Sequence, residues 1–434
     1  MLQEISEEAK KEILKYSNNY EIFVEKSESL ELDSQKSDLN FAKEEVNFGV
    51  GIRVIENSKV GFAFTSNIEE LKNTAKQAFL NTKLNEKDEN FAFSEVEKIT
   101  QVKGTEDTKN KDLSVEDAVD FLKEMLNIAE NEKCEVTSGS FGKSYKESLI
   151  INSNDVSIYD AGTYFGASIA VNAIKGESLS SAYDYESSRF FDLNGEELVK
   201  NACKIAKDSI SGKTIESEKR EVIFDYHAAS GLLSSFIGAF SGDNVQRGRS
   251  ILADKLNQEI INENISVIND STYPKGLLTT NCDGEGVASK KTNLVEEGKL
   301  KSYIYDIYTA NKADTQSTSN GYRSSFSGTP QVSPSNIIFE FKENKSLEEI
   351  DNGFLATDVL GAHTANPISG DFSVEANNAF LIENGEITNS VKKAMISGNI
   401  FEILNDCMKL KSKSKQFGPF VIPKIIGQNI NVIG

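Results

Sequence analysis

Glu45-Val46-Asn47-Phe48-Gly49-Val50-Gly51-Ile52-Arg53-Val54-Ile55-Glu56-Asn57-Ser58-Lys59-Val60-Gly61-Phe62-Ala63-Phe64-Thr65 decides the fold class. The runs Glu45–Ile55 and Lys59–Thr65 are short, rich in Val, Ile and Phe, and parted by a polar turn, so they read as neighbouring antiparallel strands. Tyr20–Glu25 upstream has the same character and adds a third. Before it, Leu2, Ile5, Ala9, Ile13 and Leu14 recur at helical spacing, the stripe of an amphipathic helix within Met1–Tyr16 that packs on a sheet. After it, Ile68–Leu84 returns to helical periodicity, with Asn67 as N-cap and Glu69 and Glu70 in the first turn.

This order recurs. A second helix, Val115–Ala129, precedes a segment in which Phe165-Gly166 with Ile169 and Val171 echoes Phe48-Gly49 with Ile52 and Val54. Glu196-Glu197-Leu198 then enters a helix as Glu69-Glu70-Leu71 does. We read an internal duplication, a meander with its covering helix built twice. Ser211–Arg220 is polar and charged, the composition of an exposed connection. All six prolines and both histidines follow it. The expected organisation is α+β: an N-terminal α+β domain over 1–215, and a mostly antiparallel β domain with a central helix over 216–434.

The chain has 434 residues, of which 38% are hydrophobic and 26% charged, ordinary values for a globular protein. Lys+Arg of 47 against Asp+Glu of 67 gives a net charge of −20, which repels phosphate backbones and anionic lipid. Direct nucleic-acid binding is excluded on this ground. Cys134, Cys203, Cys282 and Cys407 are scattered without C-x-x-C spacing, so neither a disulfide framework nor a zinc ribbon is expected. Reduced thiols suit the cytoplasm. No apolar run approaches the ~18 residues of a membrane span.

Most local motifs fail on inspection. Gly142-Lys143-Ser144 and Gly212-Lys213-Thr214 resemble the end of a phosphate-binding loop, but the glycine needed five residues earlier is Thr137 or Lys207, and both read as turns. No G-x-S-x-G elbow occurs. His227 reads as a helix-start residue. His363, in Gly361-Ala362-His363-Thr364-Ala365-Asn366-Pro367, reads as a solvated loop residue or as one that touches substrate. Asp283-Gly284-Glu285-Gly286 is a tight turn ahead of a strand pair, Ser289–Glu296 and Lys299–Tyr305. It is either a hairpin lead-in or a place for a cation or a peptide amine.

After Tyr226 the chain runs Gly231-Leu232-Leu233-Ser234-Ser235-Phe236-Ile237-Gly238-Ala239-Phe240-Ser241-Gly242-Asp243, which resembles the central helix of the TldD/PmbA family. Further blocks agree in order: Asp283–Gly286 with Leu294–Lys301, Pro334–Asn336, Asn366–Ser373 and Leu381–Ile387. Val60–Asn67 agrees as well, so the resemblance spans nearly the whole chain. It implies paired subunits and a role in processing peptides or unfolded segments.

In the family's catalytic branch the helix carries H-E-x-x-x-H, two imidazoles holding zinc and a glutamate acting as base. The matching positions here are Ser234, Ser235 and Ala239. The late segment Lys411–Pro419, where that branch has a cysteine ligand, has none. The resemblance is thus to the PmbA/TldE branch: no catalytic residue, no metal or other cofactor on this chain, and zinc only on a TldD-like partner subunit. The alternative is a homodimeric peptide-binding or chaperone-like protein without a catalytic role. Asp243, Arg247, Asp283, Glu285, His363, Asn366, Gly370 and Asp371 are the candidate cleft residues, charged or amide groups beside glycines that leave room for an extended peptide. At Gly370 a side chain is expected to crowd the ligand backbone.

Overall fold

The structure, a computed structural model, describes residues 1–434, apart from the side chain of Lys111. Six long antiparallel strands form one sheet: β1 (Tyr20–Gln35), β2 (Asp38–Glu56), β3 (Lys59–Thr65), β4 (Glu135–Asn152), β5 (Ser157–Lys175) and β6 (Ser178–Ser188), in the order β3-β2-β1-β4-β5-β6. The duplication is visible in this order. Helix α1 (Leu2–Ile13), β1–β3 and α2 (Leu71–Thr82) form one unit, and α3 (Val115–Asn131), β4–β6 and α4 (Gly195–Asp208) repeat it. The first strands of the two units, β1 and β4, pair from Glu21↔Asn152 to Gln35↔Ser138. The second unit's helix is entered in much the same way as the first's. Asn67 accepts the N–H of Glu69 ahead of α2, and Asn194 accepts that of Glu197 at α4.

Alternation along β1 sends Ile22, Val24, Leu30 and Leu32 to one face. The first two pack under α1 and α2 with Val50, Ile52 and Leu149. The second two pack under α3 and α4 with Phe141, Phe165 and Ile169. The strands are longer than their apolar runs, because β1 beyond Glu25 and β2 before Phe48 extend past the cover of α1 and α2. Leu14 lies beyond the end of α1 and is 46% exposed, so the apolar stripe of that helix ends at Ile13.

The C-terminal half is mostly β. Glu218–Phe224, Asn352–Leu360, Asp371–Glu383, Met395–Asn399 and Ile425–Ile433 pair in succession, and the last also pairs with the first, closing a ring. A second sheet is centred on Ile265–Asp270 and Asn336–Phe341. Helix α5 (Tyr226–Ile237) packs between them through Leu232, Leu233 and Phe236, each at most 2% exposed. The expected strand pair after Asp283 is shorter than its sequence suggests. Lys291–Glu296 pairs on one side with Ile265–Asp270 and on the other with only Lys299–Leu300, and the chain then leaves the sheet toward the helix Ile307–Lys312. Gly142-Lys143-Ser144 lies inside β4 and not at a turn; the Lys143 ammonium donates to the carbonyls of Asn110 and Leu113, each at 2.6 Å.

Four buried charges join the two halves. Glu21 on β1 accepts from Arg53 on β2, at 3.1 Å to Nε and 2.7 Å to a terminal nitrogen, and also from Arg323 of the C-terminal half. Glu285 accepts from Arg53 at 3.3 Å and from the N–H of Ile307 at 2.8 Å. The linker after α2 crosses this network, Ser94 donating to the Glu285 carbonyl at 2.6 Å.

Candidate functional site

A cavity of about 890 Å³ lies where the two halves meet at the outer edge of β6. β6 is the last strand of its sheet, so a group from the other half can sit against its free edge and reach residues of both its faces. His227 does so. Asp225 caps α5 by accepting the N–H of Tyr226 at 2.7 Å, which places His227 in the helix's first turn. Its Nε2 lies 2.9 Å from Asp184, whose other oxygen accepts from Asn201 of α4 at 2.6 Å.

Rings enclose the imidazole. Tyr185 and Phe417 lie with centroids 4.9 and 4.7 Å from it, and Tyr183 at 5.4 Å. Asp358, from the ring of strands, faces Tyr183 and Asn377, and burial pushes its carboxyl above the usual range. The segment Lys413–Phe417 closes the other side. Tyr226 donates to the Lys413 carbonyl at 2.6 Å, and its ring stacks on Phe417 at 5.5 Å. Amides, carboxylates, lysines and aromatic rings therefore line a half-open trough, the lining that suits an extended polar chain better than a compact apolar molecule.

The two segments compared with a metal motif converge beside this trough, since Lys413–Phe417 folds over the start of α5. At its far end Ser234 is exposed and its hydroxyl donates to the Ser230 carbonyl at 2.9 Å. Ser235 donates to the Leu232 carbonyl at 2.9 Å. Beyond Ile237 the helix tightens into a 3₁₀ turn, Gly238–Phe240, and the Ala239 methyl is 1% exposed within the core. Among the described residues no three His, Cys, Asp or Glu side chains gather closely enough to hold a metal ion.

The eight residues singled out from the sequence occupy other places, and none lines this trough. Asp243 and Arg247 pair with each other at 2.8 Å on the short helix Gly242–Gln246. Asp283 is half-buried and accepts the N–H groups of Glu285, Val287 and Gly321, and it borders a second cavity of about 540 Å³. Glu285 belongs to the ion network described above. His363 is exposed on the turn Ala362–Thr364. Asn366 accepts from the N–H groups of Ile368 and Ser369, and Asp371 from Ser369 and Asn399, bonds that shape their own loop.

Gly370, at φ +83°, has its α-carbon turned toward protein: a Cβ there would lie 2.8 Å from Phe401 and 3.0 Å from Ile400. The crowding expected with a ligand is thus with the chain itself. Gly370→Val is expected to cost about 1–3 kcal/mol from backbone strain alone, measurable as a lowered urea midpoint. An unchanged midpoint would place Gly370 outside the scaffold. The trough residues Asp184, His227 and Asp358 carry no local signal, being 43 and 131 positions apart in sequence. Tyr183-Asp184-Tyr185, two rings alternating with a carboxylate on an edge strand, is the nearest thing to one.

Fold and site together define a two-domain α+β protein whose central helix starts at an interdomain trough. The chain belongs to the PmbA/TldD metallopeptidase family: residues 20–82, 108–210 and 217–434 match domain 1, the central domain and the C-terminal domain of the PmbA/TldA metallopeptidases. An uncharacterized protein of Methanocaldococcus jannaschii is 36% identical, over 95% of this chain and 96% of its own. A metalloprotease of the same organism is 26% identical, over 85% and 83%. The crystal structure of TldE from Thermococcus kodakarensis superposes with a TM-score of 0.93 at 28% identity, covering 99% of this chain and all of that one. The family name implies a metal. Ser234, Ser235 and Ala239 do not fit one, because two hydroxyls are turned to their own helix and the third position carries only a buried methyl.

Proposed function

We propose that this chain is a PmbA/TldE-type component of a TldD/TldE-like metallopeptidase, which takes part in proteolysis or maturation of peptides and unfolded segments without zinc of its own. The observation that carries this reading is the state of the helix at Ser234, Ser235 and Ala239. A zinc site needs three convergent protein ligands and an open position for water, and these positions contribute none. The trough beside them keeps what binding an extended chain requires: ring faces, amides and charges at the edge of a sheet. The chain therefore holds peptide, and a zinc-bearing TldD-like subunit, with which it dimerises, cleaves it.

The test is elemental analysis of protein purified without chelator, with a peptidase assay on the chain alone and after mixing with a TldD-like subunit from the same genome. The expected result is no stoichiometric zinc, no hydrolysis alone, and activity with a heteromeric mass by light scattering after mixing. One zinc per chain, with hydrolysis that falls on chelation and returns with metal, would overturn it. A homodimer that binds peptide and stays inert with every such subunit would favour the peptide-binding alternative.

A further inference from the structure

The second cavity, about 540 Å³, lies on the face of the N-terminal sheet turned away from its helices, and loops of the C-terminal half close it. Alternation along β5 sends Phe165 and Ile169 under α3 and α4 and turns Asp160 and Gly162 to this opposite face. Phe23, Ile150 and Cys282, with Ile158 beside them, form a small apolar cluster of their own and give the cavity one wall. Tyr322, 54% exposed, also lines it, so the cavity reaches solvent.

Two opposite charges line the same cavity without pairing. Asp160 takes both its hydrogen bonds on Oδ1, from the backbone and side-chain nitrogens of Asn281, each at 2.9 Å, and among the described residues Oδ2 accepts none. Arg189 donates from Nε, Nη1 and Nη2 to the carbonyls of Gly276, Thr163 and Thr279 at 3.2, 3.2 and 3.1 Å, which leaves one N–H on each terminal nitrogen over. Its guanidinium lies where a side chain at Gly162 would begin. Gly162 stands two residues along β5 from Asp160, about 7 Å away on the same face. Burial pushes the Asp160 carboxyl up and the Arg189 guanidinium down, the directions expected of charges that lack a full partner.

A free carboxylate oxygen and spare guanidinium N–H groups at that spacing, beside an apolar wall, match the two ends of a zwitterion: its ammonium meets Asp160 and its carboxylate meets Arg189. We propose that this cavity binds a short apolar zwitterion, a free amino acid such as leucine or a dipeptide of the same kind. A plain acid would answer Arg189 and leave Asp160 without a partner, and a plain amine would do the reverse. The cavity shares no lining residue with the trough, and the proposal stands independently of the peptide-holding role.

The experiment is calorimetric titration of the full-length chain with leucine, leucyl-leucine, N-acetylleucine and leucinamide. At least one of the two zwitterions is expected to bind, the tighter one giving the length of the ligand. Both blocked forms are expected to bind at least roughly tenfold more weakly, the value of one charged, hydrogen-bonded end. Asp160→Asn keeps an oxygen for Asn281 and puts an amide in place of Oδ2, and is expected to remove the preference for a free amine. Ser148 is the cross-strand neighbour of Asp160 and lines the cavity. Ser148→Leu is therefore expected to fill that space and abolish binding, and it carries the test if the Asp160 variant does not fold. Equal affinity for blocked and unblocked forms, or no heat with either zwitterion, would overturn the site. Binding that persists unchanged in a folded variant would also overturn it and place the ligand elsewhere on the chain.

Discussion

Arg53→Met is expected to destabilise the protein by about 3–5 kcal/mol, the cost of leaving buried charge without its partner. The Arg53 side chain is 10% exposed, and those of Glu21 and Glu285 are 1% and 2% exposed. Burial works against the charge on Arg53, but Glu21 first and then Glu285 more than offset it, so it stays a cation. Burial pushes the Glu285 carboxyl upward, and Arg53 is the main attraction that opposes this. With methionine at 53, Glu285 keeps only the N–H of Ile307 in direct contact, and Glu21 keeps Arg323. Urea unfolding measures the loss, and the double variant Arg53→Met with Glu285→Gln separates the pair from its parts. A loss below about 1 kcal/mol, the value of an exposed pair, would show that water reaches the network. Because Glu21 and Arg53 stand on the N-terminal sheet and Glu285 and Arg323 in the C-terminal half, the same substitution is expected to loosen the junction of the two halves beside the second cavity, which Arg323 lines.

That network shows where reading the sequence stops. The apolar half of the fold was legible because burial on one face leaves a period: Ile22 and Val24, Ile52 and Val54, Ile169 and Val171 alternate as strand residues must. Glu69-Glu70-Leu71 and its echo Glu196-Glu197-Leu198 marked the entry to both covering helices, and the Asn194 cap that matches Asn67 came only with the structure. The far end of β1 was missed although Leu30 and Leu32 keep the alternation and pack under α3 and α4, and the start of β2 was not legible, since Asp38–Glu44 is exposed and has no buried face to mark it. Nor was the length of the strand pair after Asp283, where Leu300 and Tyr303 are apolar for a different reason: both are buried in the main core of the C-terminal half. The carboxylates of Asp283–Gly286 were visible as a motif, but their partners lie 232 residues away at Arg53 or on backbone N–H groups. The trough is a long-range construction of the same kind. His227 reads correctly as a helix-start residue, and only the edge of β6, brought alongside by the fold, gives it Asp184.

Ala239→His, which restores one ligand of the family's H-E-x-x-x-H pattern, is expected to cost about 2–6 kcal/mol and to gain no metal. Overpacking a filled core costs about 1–3 kcal/mol, and an imidazole buried without a hydrogen-bond partner adds about 1–3 kcal/mol. Ala239 sits in such a core, 1% exposed, with Phe236 and Phe240 on either side in the chain. Ser250 already accepts a fixed place there, its hydroxyl donating to the Ala239 carbonyl at 2.6 Å. Ser234 is exposed, so histidines at 234 and 239 would point to different surroundings, one to solvent and one to the core. For that reason the triple variant Ser234→His, Ser235→Glu, Ala239→His is also expected to remain without stoichiometric zinc, and Lys411–Pro419 offers no cysteine to complete the set. Thermal unfolding of the single variant and elemental analysis of the triple one check both parts. Zinc at one equivalent in the triple variant, with stability recovered on adding metal, would mean that the helix beyond Ile237 can turn position 239 outward. The lost site would then be a matter of three side chains and not of the backbone that carries them.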